Sequence, residues 1–316
     1  MQQRKALRWL KPQSYEHALD RQALDALEKT GGLKTLVGKV NDWGLERMLR
    51  VQLTGSHLRV SADTDPGLHE LLVDAARCID LPLMPELYVA AAGELNAFTS
   101  GVRSPIVVIG AEAVDAFSAE VLQLVIGHEL GHIKSAHVLH YQLAEFVPVF
   151  GELLGGITLG LGELAGAGLQ MALLNWRRMS ELSADRAGLL ACQDTNVALT
   201  VMMKMAGLPK CRYASANTED FIAQARAFEA MDKEALNWIA RRLSAMGTTH
   251  LRTVLRAREL LAWIDDGSYD KVLSADHGAA LPTAGAAYCS GCGAQLVEGA
   301  LFCSGCGTKL RAAVNA

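Results

Sequence analysis

The chain has 316 residues, half of them apolar and a fifth charged, with 30 Lys plus Arg against 34 Asp plus Glu for a net charge of -4. Such a composition excludes a disordered chain, a collagen-like chain and a coiled-coil rod, and the length suits one large domain or two smaller ones. The slight acidity and the 6% aromatic content argue against a generally basic nucleic-acid binder or a base-stacking platform, so no nucleic-acid partner is expected.

The first residues, MQQRKALRWLKPQSYEHALDRQALDAL, carry charges but no apolar stretch of signal-peptide length, and no export signal is read there. The first 40 residues pattern as amphipathic helix, ending near Gly31-Gly32. From Met48 to Val60, apolar and polar residues alternate around Thr54-Gly55-Ser56, which predicts two short strands and a turn. Asp65-Pro66 reads as an N-cap followed by proline at the first helical position, for a helix that runs to about Asp80. Residues 87–92 and 105–109 are apolar runs of strand length. Ser118 caps the next helix, with Glu120 in its first turn. A Gly-rich apolar tract follows Phe146, then a helix over roughly 170–192 and two or three more over 195–264. Residues 275–287 lack periodicity and read as a linker, and 288–310 hold two near repeats, YCSGCGAQL and FCSGCGTKL.

His128-Glu129-Leu130-Gly131-His132 is an HExxH motif in a helical context. Positions i and i+4 share a helix face, so both imidazoles can reach one Zn²⁺, and Glu129 beside them can take a proton from a water on that metal. Gly131 leaves room for close backbone approach. Glu181, about 50 residues on, can complete a His, His, Glu set, and Asp185 one turn later can accept a hydrogen bond from a ligand imidazole. The other reading of Glu181 and Asp185 is a solvated face paired with Arg177, Arg178 and Arg186. At 100° per residue His137 falls opposite His128, and His137 and His140 are expected to be structural or surface residues.

The text NAFTSG at 96–101, IGHELGHIKSAH at 126–137 and RRMSELSADRAGLL at 177–190 resembles the HtpX-like zinc metallopeptidases, a gluzincin family that includes the CAAX prenyl protease. The resemblance spans roughly residues 45–265. It implies His128, His132 and Glu181 as zinc ligands, Glu129 as general base and Asp185 as the residue that orients a ligand histidine. It implies that Asn96, Ala97 and Phe98 form an edge where an extended peptide pairs as an added strand. A further family pattern is H-P-x4-R; His250 and Arg256 keep its spacing, and Leu251 stands in place of the proline. Two roles are open to His250, oxyanion stabilisation or binding and gating the zinc, and Arg256 is its companion near the site; the alternative is a helix-start histidine with Arg256 in an ion pair.

Cys289, Cys292, Cys303 and Cys306 form two CxxC pairs ten residues apart, able to give four thiolates to one tetrahedral Zn²⁺. So short a segment cannot bury enough surface to fold alone, so the metal supplies its folding energy and the site is structural. The segment looks like the small zinc ribbons appended to many bacterial proteins, and its few basic residues favour contact with a protein partner. Cys78, Cys192 and Cys211 are expected to be buried or free thiols.

Residues 146–174 are long and apolar enough to suggest a membrane span, but Glu152 and Glu163 interrupt them. A buried or cleft-lining helix pair is the expected outcome, and a hairpin on or in a membrane is the alternative. The expected fold is mostly α (α+β), with a small sheet beside the active-site helix. The expected organisation is an N-terminal helical segment over 1–44, a metallopeptidase domain over 45–270, a linker over 271–287 and a zinc ribbon over 288–312. The expected activity is zinc-dependent cleavage of polypeptides, with one catalytic and one structural zinc, in the cytoplasm or at the cytoplasmic face of a membrane. Its rivals are a latent adaptor that works through its ribbon and a membrane-associated protease.

Overall fold

Ser118 ends an extended segment and its side chain accepts from the Val121 N–H, which starts the helix that carries the HExxH motif. In the computed structural model, residues 4–33, 36–37, 44–91, 96–153, 163–215, 217–229 and 253–275 are described. The elements in chain order are α1 (Ala18–Glu28), α2 (Leu45–Ser56), β1 (Leu58–Val60), α3 (Pro66–Cys78), β2 (Glu86–Ala90), β3 (Ala97–Ser100), β4 (Ile106–Gly110), α4 (Ala111–Ala116), α5 (Ala119–Lys134), α6 (Val138–Leu153), α7 (Glu163–Cys192), α8 (Thr195–Met205), α9 (Glu219–Glu229), α10 (Thr253–Asp265) and α11 (Ser268–Ser274). The fold is mostly α with one small sheet, as the pattern predicts.

The strand order is β1-β2-β4-β3, with β2 and β4 parallel and the outer pairs antiparallel. All five residues of β4 are buried, which fits an apolar run with no alternation. One face of the sheet sends Leu87, Val107 and Ile109 into the main core with Leu71 and Leu72 of α3 and Ile126 and Leu130 of α5. The other face, Tyr88, Ile106 and Val108, is covered by Leu53 of α2. The two strands predicted over Met48–Val60 are therefore corrected: only Leu58–Val60 is strand, and Met48–Ser56 belongs to α2. The reason is tertiary. Leu49 and Leu53, one turn apart, face packed surfaces, while Arg50 pairs with Glu86 and Glu46 accepts from the Arg103 N–H at 2.7 Å. Those contacts override the local alternation.

Before the sheet, Leu7, Leu10 and Tyr15 enter the main core, and Ala23 and Leu27 of α1 enter a second one with Leu143 of α6 and Leu169, Leu173 and Trp176 of α7. The apolar tract thus spans the end of α6 and the start of α7, with 154–162 outside the described residues; its Leu169 and Leu173 are buried. Among the described residues no helix is long and apolar enough to cross a membrane.

The helix α5 crosses α7 on a seam of small residues. A Cβ placed on Gly131 would lie 2.5 Å from Ala187 Cβ, and one on Gly127 would come closer still to Ala191 Cβ. From the other side, a Cβ on Gly188 would lie 3.0 Å from the Leu124 carbonyl oxygen. The two backbones approach as closely as they do because these side chains are missing.

At its C-terminus α5 stops in a turn that the 100° wheel does not foresee. Ala136 has φ 56°, its N–H donates to the Ile133 carbonyl, and the His137 N–H donates to the His132 carbonyl at 2.9 Å. That is a Schellman stop with alanine in the left-handed position that glycine usually fills. The placement of His137 opposite His128 is corrected accordingly. The chain doubles back after Lys134, and His137 lies buried beside His132.

Overpacking the seam tests its role. Gly131→Ala is expected to lower stability by about 1–3 kcal/mol in urea titrations, and adding Ala187→Gly is expected to restore a large part of it.

Candidate metal centre

The seam places one turn of α5 against one turn of α7, and polar side chains converge there. His128 and His132 point their Nε2 atoms at each other, 3.3 Å apart. Glu181 brings Oε2 within 3.6 Å of His128 Nε2 and Oε1 within 3.6 Å of His132 Nε2. With one ligand atom taken from each residue, the three lie within 4.8 Å of one another, and two imidazoles with a carboxylate are a donor set that could hold a zinc ion. Among the described residues this is the one His, Cys or carboxylate cluster of that kind. Glu129 is buried on the same turn of α5, and burial pushes its carboxyl up to about 7.

A shell of partners aims these groups. His128 Nδ1 meets Asp185 Oδ1 at 3.1 Å. Arg256 of α10 donates to both Asp185 oxygens, from Nε at 2.8 Å and Nη2 at 2.6 Å, and its Nη1 lies 3.2 Å from Glu181 Oε2. Burial acts against every one of these charges, and the pairing outweighs it. Beside Arg256 the Glu181 and Asp185 carboxyls fall below their usual range, and the two carboxylates hold the guanidinium above its own. Burial also presses the His128 ring down, but the hydrogen bonds to Asp185 and Glu181 prevail and hold it at about 10. The His132 ring, desolvated and facing His128, falls well below the usual histidine value.

The solvated-face reading of Glu181 and Asp185 does not hold. Both are buried, Arg177 pairs with Glu145 at 2.8 Å, and Arg186 donates to the carbonyls of Tyr15 and Glu16.

Four contacts of the site escaped sequence reasoning. The Tyr141 hydroxyl of α6 donates to Glu181 Oε1. His137 Nδ1 lies 3.0 Å from His132 Nδ1, and its Nε2 lies 3.2 Å from Asp20 Oδ2 of α1. The Ser183 hydroxyl donates to the same Asp20 oxygen at 2.6 Å. Tyr141 sits one turn after His137, whose carbonyl its N–H meets, but that spacing acquires meaning only once the Schellman turn is known. Asp20 is remote in sequence and carries no local signal.

Of the remaining expected residues, Asn96, Ala97 and Phe98 lie at and on the edge strand β3, which packs against α5. The Asn96 carbonyl accepts from the Gly110 N–H at 2.9 Å, and Phe98 is 41% exposed. His250 and the four ribbon cysteines, Cys289, Cys292, Cys303 and Cys306, lie outside the described residues. Cys78 and Cys192 are buried free thiols and Cys211 is an exposed one.

Two histidines and a glutamate converge from two crossed helices, with a buried glutamate beside them, and this is a group that could hold a metal ion. The model of peptidase family M48 matches residues 62–264, and a zinc-ribbon domain model matches residues 288–310. The chain is 31% identical over 266 residues to the plastoglobule-localized metallopeptidase 48, chloroplastic, of Arabidopsis thaliana, covering 82% of this chain and 74% of that protein. It is 26% identical over 179 residues to protease HtpX homolog 2 of Methanosarcina acetivorans, covering 49% of this chain and 60% of that one. No solved structure matches. The chain belongs to peptidase family M48 and is a metalloprotease with a C-terminal zinc ribbon.

The Tyr141 contact has a direct test. Tyr141→Phe removes the donor to Glu181 while keeping the ring, and is expected to weaken zinc retention against a competing chelator by about 10-fold.

Proposed function

We propose that this chain is a zinc-dependent endopeptidase in which His128, His132 and Glu181 hold the metal and Glu129 is the general base. The observation that carries the reading is the convergence of two imidazoles and a carboxylate, one ligand atom of each within 4.8 Å of the others, with a buried carboxyl on the residue after His128. Bound there, zinc supplies a Lewis acid for the scissile carbonyl and a water whose pKa lies near neutrality. Glu129, buried on the residue after His128, would take the proton of the attacking water and hand it to the leaving amine. Asp185, fixed by the two-pronged bond from Arg256, holds His128 with Nε2 turned to the metal. The family resemblance supports His250 as the residue that stabilises the oxyanion or gates the zinc.

The edge strand β3 is the place for substrate. An extended polypeptide pairs along Asn96–Phe98 as an added strand, with exposed Phe98 offering an apolar contact. Unfolded or misassembled polypeptides in protein quality control are the substrate class. The four cysteines of the ribbon hold a second, structural zinc, and the ribbon docks a protein partner. Placement in the cytoplasm accords with the paired CxxC thiols.

One observation favours a second placement. The Arabidopsis relative is named as plastoglobule-localized, which supports a placement other than free in the cytoplasm. Fractionation of the native protein separates the two. Recovery wholly in the soluble fraction supports the first, and recovery with membranes until a carbonate wash supports the second.

Casein cleavage tests the catalytic reading. Glu129→Gln is expected to retain the zinc content of the wild type and to lose at least about 100-fold in rate, while a chelator abolishes wild-type cleavage. Retained cleavage in Glu129→Gln would remove Glu129 as the base.

A further inference from the structure

The ring nitrogens between His132 and α1 form a chain with one consistent direction. His132 Nδ1 and His137 Nδ1 face each other at 3.0 Å, so one donates and the other accepts. His137 Nε2 then faces Asp20 Oδ2 at 3.2 Å, and a carboxylate only accepts. With its Nε2 proton directed to Asp20, a neutral His137 has a bare Nδ1, and His132 must place its own proton on Nδ1. That leaves His132 Nε2 bare and turned towards His128 Nε2, 3.3 Å away, where a metal needs a lone pair. For a neutral His137 the opposite direction would set a bare ring nitrogen against the Asp20 carboxylate and put a proton on His132 Nε2. The carboxylate therefore selects the metal-binding tautomer through an intervening ring.

We propose that Asp20 and His137 are positioning residues for the metal ligand His132, so that the N-terminal helix α1 is part of the metal centre. The proposal rests on the assignment of His132 as a zinc ligand. It gives the two ligand histidines matching support from opposite sides: His128 leans on Asp185 of α7, and His132 leans on Asp20 of α1 through His137. Asp20 lies upstream of residues 62–264, the stretch that the family model matches.

The surroundings fit a positioned group. Asp20, His137 and His132 are 2%, 2% and 3% exposed. Ser183, two residues after Glu181 on α7, takes the His17 N–H at 2.9 Å and donates to Asp20 at 2.6 Å. Asp20 thus holds the turn after α5 and the ligand-bearing stretch of α7 at once. The His132, His137 and Tyr141 rings pack edge to face at 4.8–5.2 Å between centroids, which leaves His137 little freedom to rotate out of the chain.

The test counts zinc on the full chain during titration with a competing chelator and follows the equivalent that His128→Ala abolishes. Asp20→Ala is expected to weaken that equivalent about 10- to 100-fold and leave the other unchanged. Asp20→Asn, nearly the same shape, folds even if the alanine variant does not. It can present either an acceptor or a donor to His137, so it is expected to weaken the same equivalent by about 10-fold. Leu27→Ala, a core truncation on the same helix, lowers the thermal midpoint without touching the chain, and its zinc affinity is expected to stay within about twofold of wild type. Wild-type affinity in Asp20→Asn overturns the proposal, and so does an equal loss in Leu27→Ala, which would make α1 merely a stabilising helix. A wild type whose zinc count His128→Ala does not change overturns the metal-site assignment itself, and the positioning chain with it.

Discussion

Everything at the candidate centre depends on how closely α5 and α7 cross. Gly127 and Gly131 on one helix meet Ala184, Ala187, Gly188 and Ala191 on the other, and the missing side chains let the backbones close in. His128 and His132 share the helix periodicity of these glycines, and Glu181 and Asp185 share that of the facing alanines. Bringing the seams together therefore brings the donors together. A larger residue at either glycine would push apart groups that stand 3.3–3.6 Å from one another.

That approach buries several charges in one place, and the structure answers with specific pairing. Arg256 faces two carboxylates at once and grips Asp185 with two parallel hydrogen bonds, geometry that a lysine cannot reproduce. Glu181 also takes the Tyr141 hydroxyl. A buried network of this kind contributes little net stability compared with an apolar core, but removing one member leaves the others uncompensated. Its use is geometric: the pairing holds His128, Glu181 and Asp185 in fixed positions against one another.

The sheet and the flanking helices serve the same end. The buried strand β4 anchors β3 at the edge beside α5, and the turn at Ala136 sends the chain from α5 straight into α6, which supplies Tyr141. The left-handed alanine there is a local cost borne by the surrounding packing. The helix α1 closes the far side, where its apolar face covers Trp176 and its polar residues reach His137 and Ser183.

Short-range signals in the sequence determine much of this. The caps at Asp65 and Ser118, the apolar runs of β2 and β4, the HExxH spacing and the CxxC pairs are all local, because each depends on residues within one or two turns. The match of Glu181 and Asp185 to the motif helix was legible as well, since periodicity puts both on one face. Tertiary structure alone decided the rest. Residues 48–56 became helix because the sheet needed a cover, against an alternating pattern that reads as strand. His137 came to His132 because the helix ended in a left-handed residue, which no wheel foresees. Asp20 and Tyr141 reached the centre from two separate helices. Such contacts are set by which faces the packed helices must bury, and no spacing along the chain encodes them.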